Sequence, residues 1–193
     1  MCTKLQDLGF FTNIEDIKAY LFSDEEITAS WLDAVQYSLS TSGDLVSFLY
    51  KNRLIITKLK ESADNNTVEY DITHKGVIAD INVESASCLL SLSVALQQKS
   101  VGATTLIKTS TWNCIAVGFT SGYFRIYTET GVQLFEQIFH PQPIKSLKYC
   151  LPKVLQDELL VIYDEILIAV DGFSLYQCLR FCRMQQLRTT ASP

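Results

Sequence analysis

The stretch from Trp112 to Phe139 restricts the fold more than any other part of the chain. It reads Trp-Asn-Cys-Ile-Ala-Val-Gly-Phe-Thr-Ser-Gly-Tyr-Phe-Arg-Ile-Tyr-Thr-Glu-Thr-Gly-Val-Gln-Leu-Phe-Glu-Gln-Ile-Phe. Cys114 to Phe119 is a short apolar run that ends in Thr120-Ser121-Gly122. Tyr123 to Tyr127 is dense in aromatic and β-branched residues, the types that fit a pleated, half-buried surface. Glu129-Thr130-Gly131 turns the chain into a third run, Val132 to Phe139. Turns this short join only antiparallel neighbours, because a parallel return needs a crossover of a dozen or more residues. A meander of short strands is the unit of a β-propeller blade. One such unit buries only one face at a time, so others are expected in the chain.

Read in order, the chain supplies them. Asn13 is placed to cap a helix over residues 14–22, with Asp16 as a weak capping-box partner and Ile14, Ile17 and Leu21 on one face. The acidic Ser23-Asp24-Glu25-Glu26 ends it. Residues 1–29 thus read as a tail whose helix either latches onto the propeller or binds a partner. From Trp31 the period changes to two: Trp31, Val35, Tyr37 and Leu39 predict a strand buried on one face. Ser40 to Asp44 is a turn cluster, Leu45 to Tyr50 a second strand, and Lys51-Asn52 a tight connection to a third over Arg53 to Leu59. A polar loop over 61–66 leads to a polar edge strand from Thr67 to Thr73.

A second blade opens near Cys88 to Leu96, crosses a polar loop over 97–110 and continues through the meander above. A third begins at Ile144 to Leu151 after Pro141-Gln142-Pro143. Leu159 to Tyr163 and Ile166 to Val170 form its hairpin around Asp164-Glu165. The fold class is all-β: an incomplete WD-repeat-like β-propeller of two to three antiparallel four-stranded blades over residues 30–173. After Asp171-Gly172 the period is helical again, with Ser174 and Gln177 as a capping box. Leu175, Cys178, Leu179 and Cys182 share one face, so 174–193 reads as an amphipathic helix and an unstructured end from Thr189. Closed propellers carry four to eight blades; an open set implies a portion or short form of a longer protein.

The 193 residues are 48% hydrophobic, enough for a substantial core. A net charge of −5 with a pI near 5.0 argues against nucleic acid as a partner. No apolar stretch approaches the roughly 18 residues of a membrane span, and residues 1–11 lack a signal-like core. A cytoplasmic chain is expected. Its six cysteines (Cys2, Cys88, Cys114, Cys150, Cys178, Cys182) are scattered and read as reduced thiols packed as small hydrophobes.

No constellation supports catalysis, a cofactor or a metal. Gly118, Gly122 and Gly131 join strand to strand without the spacing or the Lys-Ser/Thr of a phosphate-cradling loop, and read as turn glycines. Cys178 and Cys182 lie one helical turn apart, but a tetrahedral site needs four ligands, and His74 and His140 stand near no other Cys or His. Asp164-Glu165 reads as a solvated turn rather than an acid–base pair. Two features suit partner contact. Tyr123, Arg125 and Tyr127 alternate on one strand face, the composition of an interface hot spot and equally of a surface finished by stacking. Arg180, Arg183 and Arg188 make the final helix basic, which suits the helix dipole and also an acidic GTPase or anionic lipid.

Residues 114–132, Cys-Ile-Ala-Val-Gly-Phe-Thr-Ser-Gly-Tyr-Phe-Arg-Ile-Tyr-Thr-Glu-Thr-Gly-Val, resemble the amino-terminal signature of the non-catalytic (regulatory) subunit of the heterodimeric Rab-three GTPase-activating protein complex. Residues 170–180, Val-Asp-Gly-Phe-Ser-Leu-Tyr-Gln-Cys-Leu-Arg, give a second match. Ser30-Trp31-Leu32 with Tyr37-Ser38-Leu39-Ser40 gives a weaker one. The resemblance runs in order over residues 10–185. It implies a cytoplasmic subunit that pairs with a catalytic subunit, which carries the catalytic arginine. The complex accelerates GTP hydrolysis by Rab GTPases of regulated exocytosis and is linked to nucleotide exchange on another Rab. Family members are several times longer. The alternative is a generic propeller scaffold for peptide partners, and an enzyme built on a propeller is the third reading.

Overall fold

The computed structural model describes residues 13–23, 25, 30–60, 69–95, 111–150 and 158–190. Helix α1 (Ile14–Leu21) and the single turn α2 (Trp31–Ala34) precede a sheet of β1 (Gln36–Leu39), β2 (Leu45–Tyr50), β3 (Arg53–Lys60) and β4 (Glu69–Val77). A second sheet holds β5 (Ala86–Ala95), β6 (Thr111–Phe119), β7 (Tyr123–Thr128) and β8 (Gln133–Ile138). A third holds β9 (Ser146–Cys150), β10 (Glu158–Ile162) and β11 (Leu167–Asp171), and helix α3 (Gly172–Thr190) follows. Strand order in every sheet is the order of the chain, and all pairings are antiparallel.

Each sheet is one blade. The first strand of each lies against the first strand of the next, β1 on β5 and β5 on β9, so these strands are innermost and the later ones radiate outward. Blades stack face to face through apolar layers. Leu45, Leu49, Leu54 and Ile56 of the first meet Ile115, Val117, Phe119 and Tyr127 of the second. Cys88, Leu92, Cys114, Ala116, Phe124 and Ile126 of the second meet Leu147, Leu159 and Val161 of the third. A strand buried on both sides reads as a continuous apolar run rather than an alternating one. That is why β2 is apolar but for Ser47 and β6 is apolar from Cys114 on, and the chain is an open, WD-repeat-like β-propeller.

The helices pack against the stack at two places. Ile17, Leu21 and Phe22 cover Val46, Phe48 and Ile55 on the outer face of the first blade, the side on which a further sheet would lie. Leu175, Tyr176 and Leu179 of α3 join the core between the second and third blades, with Tyr176 stacked on Trp112 at 5.1 Å.

Several local expectations need correction. Trp31 and Val35 are not on a strand. Trp31 opens a helical turn, packs on Phe48 at 6.0 Å and is buried, while Tyr37 and Leu39 are exposed. A spacing of four fits one helical turn as well as two strand steps, and the helical choice lets Trp31 reach the sheet face. Asn13 makes no side-chain cap; its carbonyl accepts from Ile17 N instead. The α3 cap is Asp171, whose Oδ2 accepts from Ser174 N at 2.8 Å and Ser174 Oγ at 2.9 Å, so the helix starts two residues before Ser174. Backbone helix also continues through Thr190. Cys178 is exposed and Cys182 and Cys150 are half-buried, so among the described residues only Cys88 and Cys114 pack as core thiols. Gly118 lies inside β6, where an added Cβ would press on Ile144 and the Cys88 sulfur. The polar loops at 61–66 and 97–110, Cys2, and residues 191–193 fall outside the described residues.

Candidate functional site

The Tyr-x-Arg-x-Tyr face of β7 lies against the connection that leaves the first blade. Phe124 and Ile126 point into the core, so Tyr123, Arg125 and Tyr127 share the opposite face, toward the first blade. Arg125 is held on four sides. Its Nη2 contacts Glu84 Oε1 at 2.5 Å, its Nε donates to Glu136 Oε2 at 2.9 Å, and its Nη1 donates to the Ile78 carbonyl at 3.4 Å. The guanidinium stacks 4.4 Å from the centroid of Phe119. Burial works against the charge, but the bonds to Glu136 and Glu84 outweigh it and raise the pKa. Glu84 also accepts from Ser121 Oγ at 2.7 Å. Tyr127 is 3% exposed, and burial pushes its hydroxyl pKa up. Tyr123 is half-buried beside Ile138 on β8. Arg125 and Tyr127 fasten the second blade to the first.

A polar cluster does the same near the inner strands. Asp44 accepts from Ser40 Oγ at 3.1 Å, from Ser42 Oγ in a short bond, and from Asn113 Nδ2 at 2.8 Å. Asn113 Oδ1 in turn accepts from Ser93 Oγ at 2.7 Å. Burial raises the Asp44 pKa, and the bonds from Ser42, Asn113 and Ser40 more than reverse that. Further out, His74 of β4 packs on Gly131, which sits at φ 78° in the β7–β8 turn; any Cβ there would run into the imidazole. Thr73 Oγ1 donates to the Glu129 carbonyl at 2.7 Å, and Lys58 pairs with Glu129 at 3.1 Å. None of this inter-blade chemistry was legible, because its partners lie some 55 to 70 residues apart in sequence.

The basic helix divides. Arg183 lies over the Trp112 ring at 5.4 Å. Arg180 is exposed, beside Phe173, Phe181 and Met184, which are 53%, 64% and 47% exposed. Arg188 lies on the helix with an undescribed side chain. Asp164 pairs with Lys145 at 3.3 Å across a solvated turn. Cys178 and Cys182 neighbour one another, and among the described residues no cluster of three or more His, Cys, Asp or Glu is placed to hold a metal ion.

Sequence reading missed a groove of about 520 Å³ at one end of the first blade. It is lined by Glu25, Lys51, Asn52, Arg53, Asp80 and Ile81, among others. Asn52, 3% exposed, shapes it by donating to the Ala79 and Glu84 carbonyls and accepting from Ala86 N at 2.7 Å. Val77 and Ile81 of the lining and nearby Val83 are exposed. The signal available beforehand was Lys51-Asn52, where a φ of 53° at Lys51 makes the tight turn that leaves Lys51 exposed.

Residues 31–193 match the family model of the Rab3 GTPase-activating protein regulatory subunit N-terminus. The chain belongs to that family. The match spans all three blades and α3, and the family is that of a regulatory rather than a catalytic subunit. Among solved structures, the chain is similar to the C-terminal WD40 domain of Sif2 at 16% identity and a TM-score of 0.43, over 73% of this chain and 34% of that one. The chain thus spans about a third of the length of that structure.

Proposed function

We propose that this chain acts by binding, as the amino-terminal propeller region of a regulatory subunit that works with a separate catalytic subunit on Rab GTPases in membrane traffic. The family match over residues 31–193 carries this reading. The geometry agrees in kind. Arg125 with Glu84, and Lys58 with Glu129, join blades, while exposed groups suited to contact gather on α3 as Arg180, Phe181 and Met184. Of the five candidate contact residues, Arg180 is the one free to lead; Tyr123, Arg125, Tyr127 and Arg183 act by holding the surface in shape. Rab proteins are reached through the complex, in the cytoplasm, with peripheral association to membranes through the same basic helix. Support of nucleotide exchange belongs to the same proposal.

The test is co-purification of the chain with the catalytic subunit, followed by GTP hydrolysis by a Rab with and without the chain. We expect a stable complex, and at least a fivefold weaker one for Arg180→Glu. Failure of the wild-type chain to bind either the catalytic subunit or a Rab overturns the reading. A second reading, a general scaffold for peptide partners, draws on the groove beside Lys51 and Ile81. Partner capture that survives Arg180→Glu and is lost with Ile81→Asp would favour it.

A further inference from the structure

The third blade differs from the other two at its outer edge. In the first and second blades the third strand is covered by a fourth, β4 or β8, whereas among the described residues β11 pairs with β10 alone and the chain turns helical at Gly172. The direction of its free backbone groups follows from the hairpin. Tyr163 N donates to the Ile166 carbonyl, so that pair is hydrogen-bonded and the register alternates from it. Ile168 and Val170 face β10, and Leu167 and Ala169 direct their N–H and C=O groups away from it. Neither has a backbone partner among the described residues. Leu167 is 60% exposed and Ala169 is also exposed.

Edge strands are ordinarily blunted by charge. β4 carries Glu69, Asp71 and Lys75, and β8 carries Glu136, but the one charge of β11 is Asp171 at its last position, engaged in capping α3, and Leu167-Ile168-Ala169-Val170 carries none. We propose that the β11 edge is a strand-addition site, completing the blade with an extended segment of a partner protein that is apolar at alternate positions and basic at its C-terminal flank. Only an extended strand matches donors and acceptors that alternate at this spacing. An antiparallel segment beside β11 leaves past Ile166 toward the hairpin tip. There Asp164 already pairs with Lys145, while Glu165 is exposed and makes no ion pair among the described residues. A lysine or arginine at that flank meets this acidic tip. A second copy of β11 fits less well, because the symmetric register that pairs Leu167 with Ala169 sets Glu165 against Asp171 of the other copy, acid against acid.

The probe is a fluorescein-labelled peptide, Thr-Val-Thr-Val-Thr-Val-Gly-Lys-Lys, added to the full chain, with anisotropy and amide hydrogen exchange as readouts. We expect the Leu167 and Ala169 amides to slow at least tenfold on saturation while Ile168 and Val170, already bonded to β10, change little. Ala169→Pro removes an outward donor without touching the β10 ladder, and should weaken the probe at least tenfold with the far-UV circular dichroism unchanged. Leu167→Lys, which restores an edge charge, should act in the same direction. Binding that persists in both variants, or a saturated probe that leaves the two amides unprotected, overturns the site. Equal binding of a probe ending in Glu-Glu overturns the basic flank. Self-association of the chain alone in sedimentation, abolished by Ala169→Pro, would overturn the commitment to a partner in favour of a second copy.

Discussion

Arg125 sits at 15% side-chain exposure between Glu84, at 9%, and the more open Glu136, at 48%. In such a setting the charge is tolerable only because its partners are in place, and removing Arg125 leaves the Glu84 carboxylate buried without a counter-charge. Arg125→Ala should therefore lower the unfolding free energy by about 3 kcal/mol, read from urea denaturation. Replacing the pair together, Arg125→Met with Glu84→Leu, should recover most of that loss. If Arg125→Ala alone is neutral, the arginine is not a blade fastener and its role lies on the surface. The residue type and its aromatic neighbours were legible; the side it serves was not. Tyr-x-Arg-x-Tyr describes an interface hot spot and a stacked internal strap equally well. What decides is Glu84, forty-one residues away by number, on a connection that the sequence marks only as a stretch between strands. The turn glycines behave otherwise. Gly122 and Gly131 sit at φ 88° and 78°, and a requirement that local can be read without knowing the fold.

At the scale of elements, strands with strong β-branched and aromatic runs fell close to their expected bounds, β2 and β7 to within a residue. Helix ends and polar strands did not. α2 was hidden because Trp31 and Val35 satisfy two periods at once, and β4 runs on to Val77 because its ladder with β3 continues past a register shift at Ile56 and Thr57. Caps depend on which oxygen reaches which amide, and Asp171 reaches Ser174 from the last residue of a strand. The role of α1 is clearer. Ile17 and Leu21, at 1% and 0% exposure, seal a sheet face against water. The helix takes the place that a neighbouring blade would fill. Leu21→Ala should cost about 3 kcal/mol, within the range for a fully buried leucine, and should also raise binding of an apolar dye as the Val46–Phe48–Ile55 face opens. The same substitution at Leu32, which is 46% exposed, should move stability by no more than about 0.5 kcal/mol. A destabilisation at Leu21 under about 1 kcal/mol would mean that α1 only rests on the blade.

Across the whole molecule, the first two blades are joined by apolar layers that pH does not alter and by polar seams that it does. Two groups in those seams, His74 and Asp44, have pKa values that folding lowers. His74 packs on Gly131, and burial lowers its pKa below the ordinary 6.5. The unfolded chain then takes up a proton before the folded one, so the stability His74 contributes is present above 6.5 and is lost as pH falls from there toward its folded value. Asp44 is lowered from 3.8 by its hydroxyl and amide donors, net of a burial effect of opposite sign. Its contribution is present above 3.8 and disappears as pH falls through its lower folded value. Both losses open the same junction, at different pH. Unfolding free energy measured from pH 7.5 to 3 should therefore fall in two stages. His74→Gln should remove the upper stage and leave the lower one, and Asp44→Asn should do the reverse while lowering stability at neutral pH, where the carboxylate no longer gathers Ser40, Ser42 and Asn113. A single stage unaffected by either substitution would place the acid sensitivity elsewhere than in the seam between the blades.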